Sequence, residues 1–274
     1  MHPLVISAYR MLIAAVLLLA CLAITHSLIG LRRLLTRHPV RAALVGVGTA
    51  AYQGLYFSSV VWVGVSVSTV VSLGVAPLLL TAWESITTGS RPTATRLLVL
   101  TVALTGLVLV SAFGGDGGPT GPHPTWGVLA AVGSGTSYAA TTALSRTLLR
   151  TASGVTPLVL TTAMTTVGAV ALVPFVALGG PLLTGDIKVD LLLVYLGTLT
   201  MALAYGLLYS GLRTTSESTA VIATLVEPVT AALAAALFLD ERLGPAGIVG
   251  TALVIAAVLG LERSPAIRPE PAGM

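Results

Sequence analysis

Apolar residues run in long stretches, broken every 20 to 30 positions by short polar segments. The stretches predict nine spanning helices, at 3–25, 40–62, 67–87, 94–113, 126–148, 155–178, 189–210, 217–239 and 245–261. About 20 residues at about 1.5 Å each cover the roughly 30 Å of bilayer hydrocarbon, so most of these stretches reach across a membrane. The short alternating strands of an outer-membrane barrel do not fit the pattern. Glycine and proline punctuate the breaks, as in Gly-Gly-Asp-Gly-Gly-Pro-Thr-Gly-Pro-His-Pro at 114–124, Gly-Gly-Pro at 179–181 and Leu-Gly-Pro at 243–245. No break is long enough to hold a soluble domain. One stretch departs from the rest, because Glu227 and Pro228 stand near the middle of 217–239. A carboxylate at mid-membrane costs about 2.5–3.5 kcal/mol on insertion scales, and proline removes a backbone N–H and crowds the carbonyl one turn earlier. Two such residues side by side predict a broken helix that borders a polar cavity instead of lipid.

That stretch has an echo at 68–89, where Pro77 stands in the place of Pro228. Residues 51–95 align on 202–246 without a gap, matching Ser59 with Ser210, Ser68 with Thr219, Val70 with Val221, Val75 with Val226, Pro77 with Pro228 and Arg91 with Arg242. Upstream, Pro3-Leu4-Val5 corresponds to Pro157-Leu158-Val159 at nearly the same offset. Each match is weak in so apolar a chain, but they share one register. The expected fold is therefore an all-α polytopic membrane protein made of two inverted repeats of about five helices, at 1–115 and 116–262, with a tail at 263–274. A full predicted helix, 126–148, precedes Pro157, whereas two residues precede Pro3. The first repeat is thus expected to lack its first helix, through a start placed too late or a nine-helix design, with the former preferred.

Composition fits this picture. Of 274 residues 55% are hydrophobic and 9% charged, and mean hydropathy is +0.97; soluble domains carry about a quarter charged residues. A net charge of +4 and a pI near 9.6 could point to nucleic acid, but the basic residues are spread over separate loops. If the helices alternate, Arg32, Arg33, Arg37, Arg41, Arg91, Arg96, Arg146, Arg150, Arg213, Arg263 and Arg268 share one side, which is 11 of the 14 basic residues. Lys188 and Arg242 fall opposite and Arg10 inside a helix. The rich side is expected to be cytoplasmic, which puts the C-terminus inside and Met1 outside a cytoplasmic membrane. The expected partners are the lipid bilayer and a small-molecule substrate, not nucleic acid; a homodimer is compatible with the sequence. The single cysteine, Cys21, excludes an internal disulfide. Leu18-Leu19-Ala20-Cys21 behind Arg10 resembles a lipoprotein cleavage box, but cleavage would leave the Arg32–Arg41 cluster outside, against every later loop.

Few residues could carry chemistry. Glu227 is read as a substrate or proton site, against a carboxyl held neutral by a neighbouring hydroxyl. Pro77 and Pro228 are hinges or static kinks in two matched helices. Arg10 lies two turns into its helix, where snorkelling to the outer interface is preferred over attraction of an anionic group in a cavity. Tyr52, Gln53 and Tyr56 share one region of a helix, Ser134, Ser137 and Tyr138 lie in another, and Tyr205 and Tyr209 sit at i and i+4. These are cavity-wall candidates, with packing and interhelical hydrogen bonding as the plainer alternative. Gly46, Ala50, Gly54 and Ser58, and likewise Gly133, Ser137 and Thr141, make small-residue stripes that let helices approach closely. His2, His26, His38 and His123 fall at termini or in loops, so no metal, cofactor or serine–histidine pair is expected. No glycine–lysine phosphate loop marks an ATP-driven pump. Asp186-x-x-x-Asp190 is half of the magnesium-binding pattern of intramembrane prenyltransferases, without a second half.

Several of these runs together carry a resemblance. They are the proline-started helix 3–19 with Arg10, the serine-rich run from Ser58 to Pro77, and Thr-Ser-Glu-Ser-Thr-Ala-Val-Ile-Ala-Thr-Leu-Val-Glu-Pro at 215–228 followed by Leu-Asp-Glu-Arg-Leu at 239–243. The chain resembles the EamA-type family of the drug/metabolite transporter superfamily over nearly its whole length. The first copy is the more degenerate, with Ala76 in place of Glu227 and Gly89-Ser90 in place of Asp240-Glu241. The resemblance implies ten helices in two inverted five-helix repeats, a central cavity, and export or uptake of amino acids, metabolites or drugs by alternating access. The substrate-binding candidates are then Glu227, Pro228, Pro77, Tyr52, Gln53, Tyr56, Ser137, Tyr138, Tyr205, Tyr209 and Arg10. Export is the favoured direction. The alternatives are an intramembrane enzyme of prenyltransferase type and a non-transporting membrane subunit.

Overall fold

A computed structural model describes residues 3–113, 123–179, 187–230 and 244–261. Every regular element among them is helical: α1 Pro3–Ile24, α2 Leu28–Arg37, α3 Pro39–Val63, α4 Val65–Thr88, α5 Ala94–Phe113, α6 Pro124–Thr151, α7 Pro157–Gly179, α8 Ile187–Gly211, α9 Glu217–Thr224 and α10 Pro245–Leu261. The polytopic helical class read from the hydrophobic pattern is the fold observed. The stretch 231–239, the Leu-Asp-Glu-Arg-Leu run at 239–243, Asp186 and the tail 263–274 lie outside the described residues.

Local chemistry sets the helix ends. Proline opens α1, α3, α6, α7 and α10, the one helical position where its missing N–H has no intrahelical partner to lose. Between α3 and α4 stands only Gly64, at φ 92° and ψ 163°, a conformation that a side chain resists. Gly89 closes α4 in the left-handed region, at φ 66°. Large apolar side chains such as Val16, Ile24, Ile86 and Leu98 are more than 60% exposed, as a surface against acyl chains allows and a water-facing one resists.

Three local features depart from uniform spans. The first is α2, in a segment whose arginines mark it as a connection. It is amphipathic, burying Leu31 and Leu34 and leaving Arg32 and Arg33 exposed, the pattern of a helix lying along an interface. The second is a π-turn at Thr198–Leu203 inside α8. The third is the expected break in the acid-bearing span. The helix stops at Thr224 and resumes at 226–230. At the break the Leu225 N–H turns back to Ile222 O at 3.0 Å. Pro228 has no N–H to give Thr224 O, so an unbroken ladder cannot pass this point. Its counterpart Pro77 stays inside one continuous helix.

The chain divides into two compact units, residues 1–58 with 137–215 and residues 59–136 with 216–274. Each therefore takes part of both sequence repeats. In the first unit α1 packs most extensively on α7, then on α8. Glycine makes close approaches to α7 possible: a Cβ on Gly168 would fall 2.3 Å from Met11 Cε of α1, and one on Gly46 of α3 would fall 2.4 Å from Val167 Cβ. The Gly46 and Gly54 stripe is thus a packing feature, as is Gly54 against Leu4. In the second unit α5 packs most extensively on α10 around Leu100, Ala103, Leu107, Ile222, Leu225 and Val254. Here Gly106 and Gly250 face each other, each leaving 2.8 Å between a would-be Cβ and the other's carbonyl oxygen. Neither glycine belongs to the stripes visible in the sequence, and the pair is set by how two helices cross. In the register of the sequence alignment α1 corresponds to α7 and α5 to α10, and each of these pairs packs together.

Candidate functional site

The site candidates fall into two sets, one in each compact unit. In the first unit the π-turn of α8 is the organising element. A π-turn widens the helix by one residue and gives up regular hydrogen bonding, and such turns are common at functional sites. Thr200 and Met201, consecutive within it, reach two different helices. Arg10 of α1 donates from Nη2 to Thr200 Oγ1 at 3.0 Å, and Thr200 Oγ1 in turn donates to Leu196 O at 2.6 Å. Gln53 of α3 donates from Nε2 to Met201 Sδ at 3.4 Å. The Arg10 guanidinium also lies over the Phe57 ring, 5.9 Å from its centre, within cation–π range.

Further aromatic rings pack together in the same unit. Tyr52 and Tyr138 stack at 5.0 Å and 29°. Tyr56 meets Phe57 edge-on at 5.5 Å, and Tyr205 meets Tyr209 edge-on at 6.0 Å. Tyr209 is buried and donates its hydroxyl to Met164 Sδ at 2.9 Å. Tyr52, Tyr56, Phe57 and Tyr205 are half-buried, so parts of their surfaces remain open. Arg10, Tyr52, Gln53, Tyr56, Tyr138, Tyr205 and Tyr209 are thus gathered in one unit, although they come from four helices. Ser137 shares their unit and is half-buried; its backbone carbonyl accepts from Thr141 Oγ1 at 2.9 Å.

A separate groove of about 450 Å³ in this unit is walled by residues such as Leu17, Leu158, Leu199, Leu203 and Leu207. None of the predicted site residues lines it. Its apolar rim, with Leu207 64% exposed, suits acyl chains better than a polar ligand.

The second unit holds Pro77, Glu227 and Pro228. Pro77 is buried and Pro228 half-buried, while Glu227 is exposed just past the break. The neighbouring Thr230 hydroxyl donates to the backbone carbonyl of Glu227 at 2.8 Å. Serine hydroxyls link the helices of this unit. Ser59 meets Ser68 at 2.7 Å and donates to Gly127 O at 2.7 Å. Ser72 meets Ser134 at 2.8 Å, which makes Ser134 an interhelical clasp.

A further cluster in this unit lay outside the sequence candidates. Glu84, near the end of α4, and Arg96, near the start of α5, form a buried ion pair at 2.5 Å. Both Glu84 oxygens are engaged by the start of α9: Ser218 N–H donates to Oε1 at 3.0 Å and Ser218 Oγ to Oε2 at 2.8 Å. A carboxylate at a helix N-terminus satisfies otherwise orphaned N–H groups. Arg96 also reaches Ser216 Oγ at 3.1 Å, and Ser216 Oγ accepts from Thr219 N–H as the N-cap. The signal available in the sequence was two opposite charges twelve positions apart across the Gly89 turn. Their third partner, Ser218, is 134 residues away and carries no mark of its own.

Comparison with known proteins fits these features. The model of the EamA-like transporter family matches residues 1–112 and 125–262. A relative in Bacillus subtilis (strain 168), described as the uncharacterized transporter YwfM, is 28% identical over 230 residues, 81% of this chain and 73% of its own. A protein of known crystal structure, 20% identical, shares the fold with a TM-score of 0.75 over 95% of this chain and 88% of its own. The helices of this chain, the break before Glu227 and the match along both halves converge: it belongs to the EamA-like transporter family and is a multi-pass membrane transporter of the drug/metabolite transporter type.

Proposed function

We propose that the protein is a secondary exporter of the cytoplasmic membrane, with its C-terminus inside, that moves small metabolites, amino acids or drugs by alternating access. The observation that carries this reading is the broken span: an acidic side chain, Glu227, stays exposed beside Pro228 at the one described interruption of a bilayer-length apolar stretch. Such a residue is tolerated at membrane depth where it meets water or a ligand. In this reading Glu227 binds substrate or a coupling proton, and Pro228 and Pro77 set the bends of the two matched helices. Tyr52, Gln53, Tyr56, Ser137, Tyr138, Tyr205, Tyr209 and Arg10 supply the aromatic and polar contacts to cargo. The substrate faces one side of the membrane at a time, and the two states differ by an amount that binding can shift.

The test is efflux from proteoliposomes loaded with radiolabelled amino acids and organic acids. The parent is expected to release at least one of them faster than empty liposomes, and Glu227→Gln to lose most of that release while keeping the parent's unfolding temperature. Equal efflux from both proteins would remove Glu227 from the mechanism, and no efflux of any loaded solute would remove export.

A further inference from the structure

We propose that Arg10, Thr200 and Phe57 form a subsite for the carboxylate of a small monoanionic acid with a flat, apolar body. This rests on the transporter reading above and adds to it the chemical class of cargo.

The argument begins with an unbalanced charge. Arg10 is the eighth residue of α1, about 10 Å along the helix from its start, so it stands at membrane depth and not at the rim. Its guanidinium is held across to α8 by Thr200 and over Phe57 of α3, which turns it inward, away from the snorkelling position. A guanidinium has five N–H donors. Thr200 takes one, and Nε is buried with no hydrogen-bond partner among the described residues. Arg10 forms no ion pair among the described residues. The acids within 1–58 and 137–215 are Asp186 and Asp190, and Asp190 lies ten residues before Thr200 on α8, about 15 Å along the axis. A half-buried cation in a low-dielectric setting without a counter-charge is costly. An anion that arrives from outside removes that cost.

The neighbourhood narrows the anion. One positive charge neutralises one negative charge, which favours a monoanionic carboxylate over a phosphate dianion, and the planar fork of a guanidinium matches a carboxylate in two-point contact. Phe57 lies against the guanidinium and Tyr56 meets Phe57 edge-on, and the half-buried Tyr52 and Tyr205 of the same unit add further ring surface, a surface for a flat apolar body. The π-turn accounts for the geometry. It lets Thr200 fix Arg10 while the adjacent Met201 meets Gln53, whose Oε1 is likewise buried with no partner among the described residues.

The experiment measures binding and transport separately, with the full chain in detergent and in proteoliposomes. The probes are 3-phenylpropionate, its amide and phenyl phosphate. The acid is expected to raise the unfolding temperature and to bind saturably, and the amide and the phosphate ester to do neither. Arg10→Gln is expected to weaken acid binding about tenfold to hundredfold, the loss of a charge-assisted pair, and Arg10→Lys less. Arg150→Gln removes an exposed charge on α6 and is expected to change nothing. Equal binding of acid and amide, tighter binding of the phosphate ester, wild-type affinity in Arg10→Gln, or no binding of the acid would each overturn the subsite. If Arg10→Gln does not fold, Thr200→Val decides: weaker binding of the acid supports the subsite, and unchanged binding overturns it. Movement of the amide but not the acid across the bilayer would overturn the subsite and leave the transporter reading standing. Acid binding that depends on Arg10, with no movement of any probe, would keep the subsite and remove transport of this class.

Discussion

Replacing Glu84 by alanine removes the one described carboxylate that α4, α5 and α9 share. Arg96, Ser218 N–H and Ser218 Oγ all donate to it. Hydrogen bonds to a charged group are worth about 1.5–3 kcal/mol each, which would sum to about 4.5–9 kcal/mol. Removing the carboxylate, however, also recovers its desolvation cost. What remains is the penalty for stranding Arg96, 7% exposed, with Ser216 as its described partner. Loss of one member of a buried pair costs about 3–5 kcal/mol. The expected loss for Glu84→Ala is therefore about 3–5 kcal/mol, measured by denaturant titration in detergent with the fluorescence of the neighbouring Trp83 as the probe. Glu84→Met combined with Arg96→Met replaces both charges by apolar groups of similar reach and is expected to recover most of that loss. A Glu84→Ala protein as stable as the parent would show that the pair holds nothing. A double variant less stable than either single one would refute the stranded-charge account.

Gly106→Ala places a methyl 2.8 Å from Gly250 O and from Val254 Cγ2; overpacking of this kind costs about 1–3 kcal/mol, readable as a lower unfolding temperature in the same detergent, and an unchanged temperature would mean that the two helices are free to separate. Gly64→Ala forces a side chain onto φ 92° at the α3–α4 connection and is expected to cost about 1–3 kcal/mol, whereas alanine at Gly206, which has open space around it, is expected to stay within about 0.5 kcal/mol.

Much of this fold was legible because the membrane imposes a long-period rule. A segment that crosses hydrocarbon must be apolar for about 20 residues and must satisfy its backbone internally, so the hydrophobic pattern located every described helix except the short α2, and proline marked five helix starts. The break before Glu227 was legible for a related reason: the chemistry of proline acts on its own helix. The features that were not legible depend on partners far along the chain. Glu84 is a span-end acid until Ser218, 134 residues on, donates to it. Leu31 and Leu34 identify α2 as amphipathic only when α7 is there to cover them. The π-turn at Thr198–Leu203 has no residue type that demands it; its sequence, Thr-Leu-Thr-Met-Ala-Leu, would serve equally in an ordinary helix. The aromatic and polar candidates were chosen residue by residue, and packing from α1, α3, α6 and α8 brought eight of them into one unit.

Arg96 and Arg10, one buried and one half-buried, show how satisfaction separates structural charge from charge held for something else. Arg96 faces a carboxylate that Ser218 also holds in place, and removing either charged member leaves the other stranded. Such a group is expected to be silent toward ligands, because an arriving anion would have to compete with a partner already in place. Arg10 has a hydroxyl and a ring, no acid, and an Nε atom sealed without a partner among the described residues. Gln53, held by the same π-turn, has an amide oxygen in the same condition. Native structures leave few buried polar atoms unmatched, and each exception calls for a cause. Two exceptions tied to one irregular turn share a cause more economically than two accidents of packing would. The regular alternative, a plain α-helix through 198–203, would keep its backbone ladder and give up the placement of Thr200 and Met201. That the chain adopts the less regular form inside a bilayer-length apolar helix is the physical reason to look for cargo there.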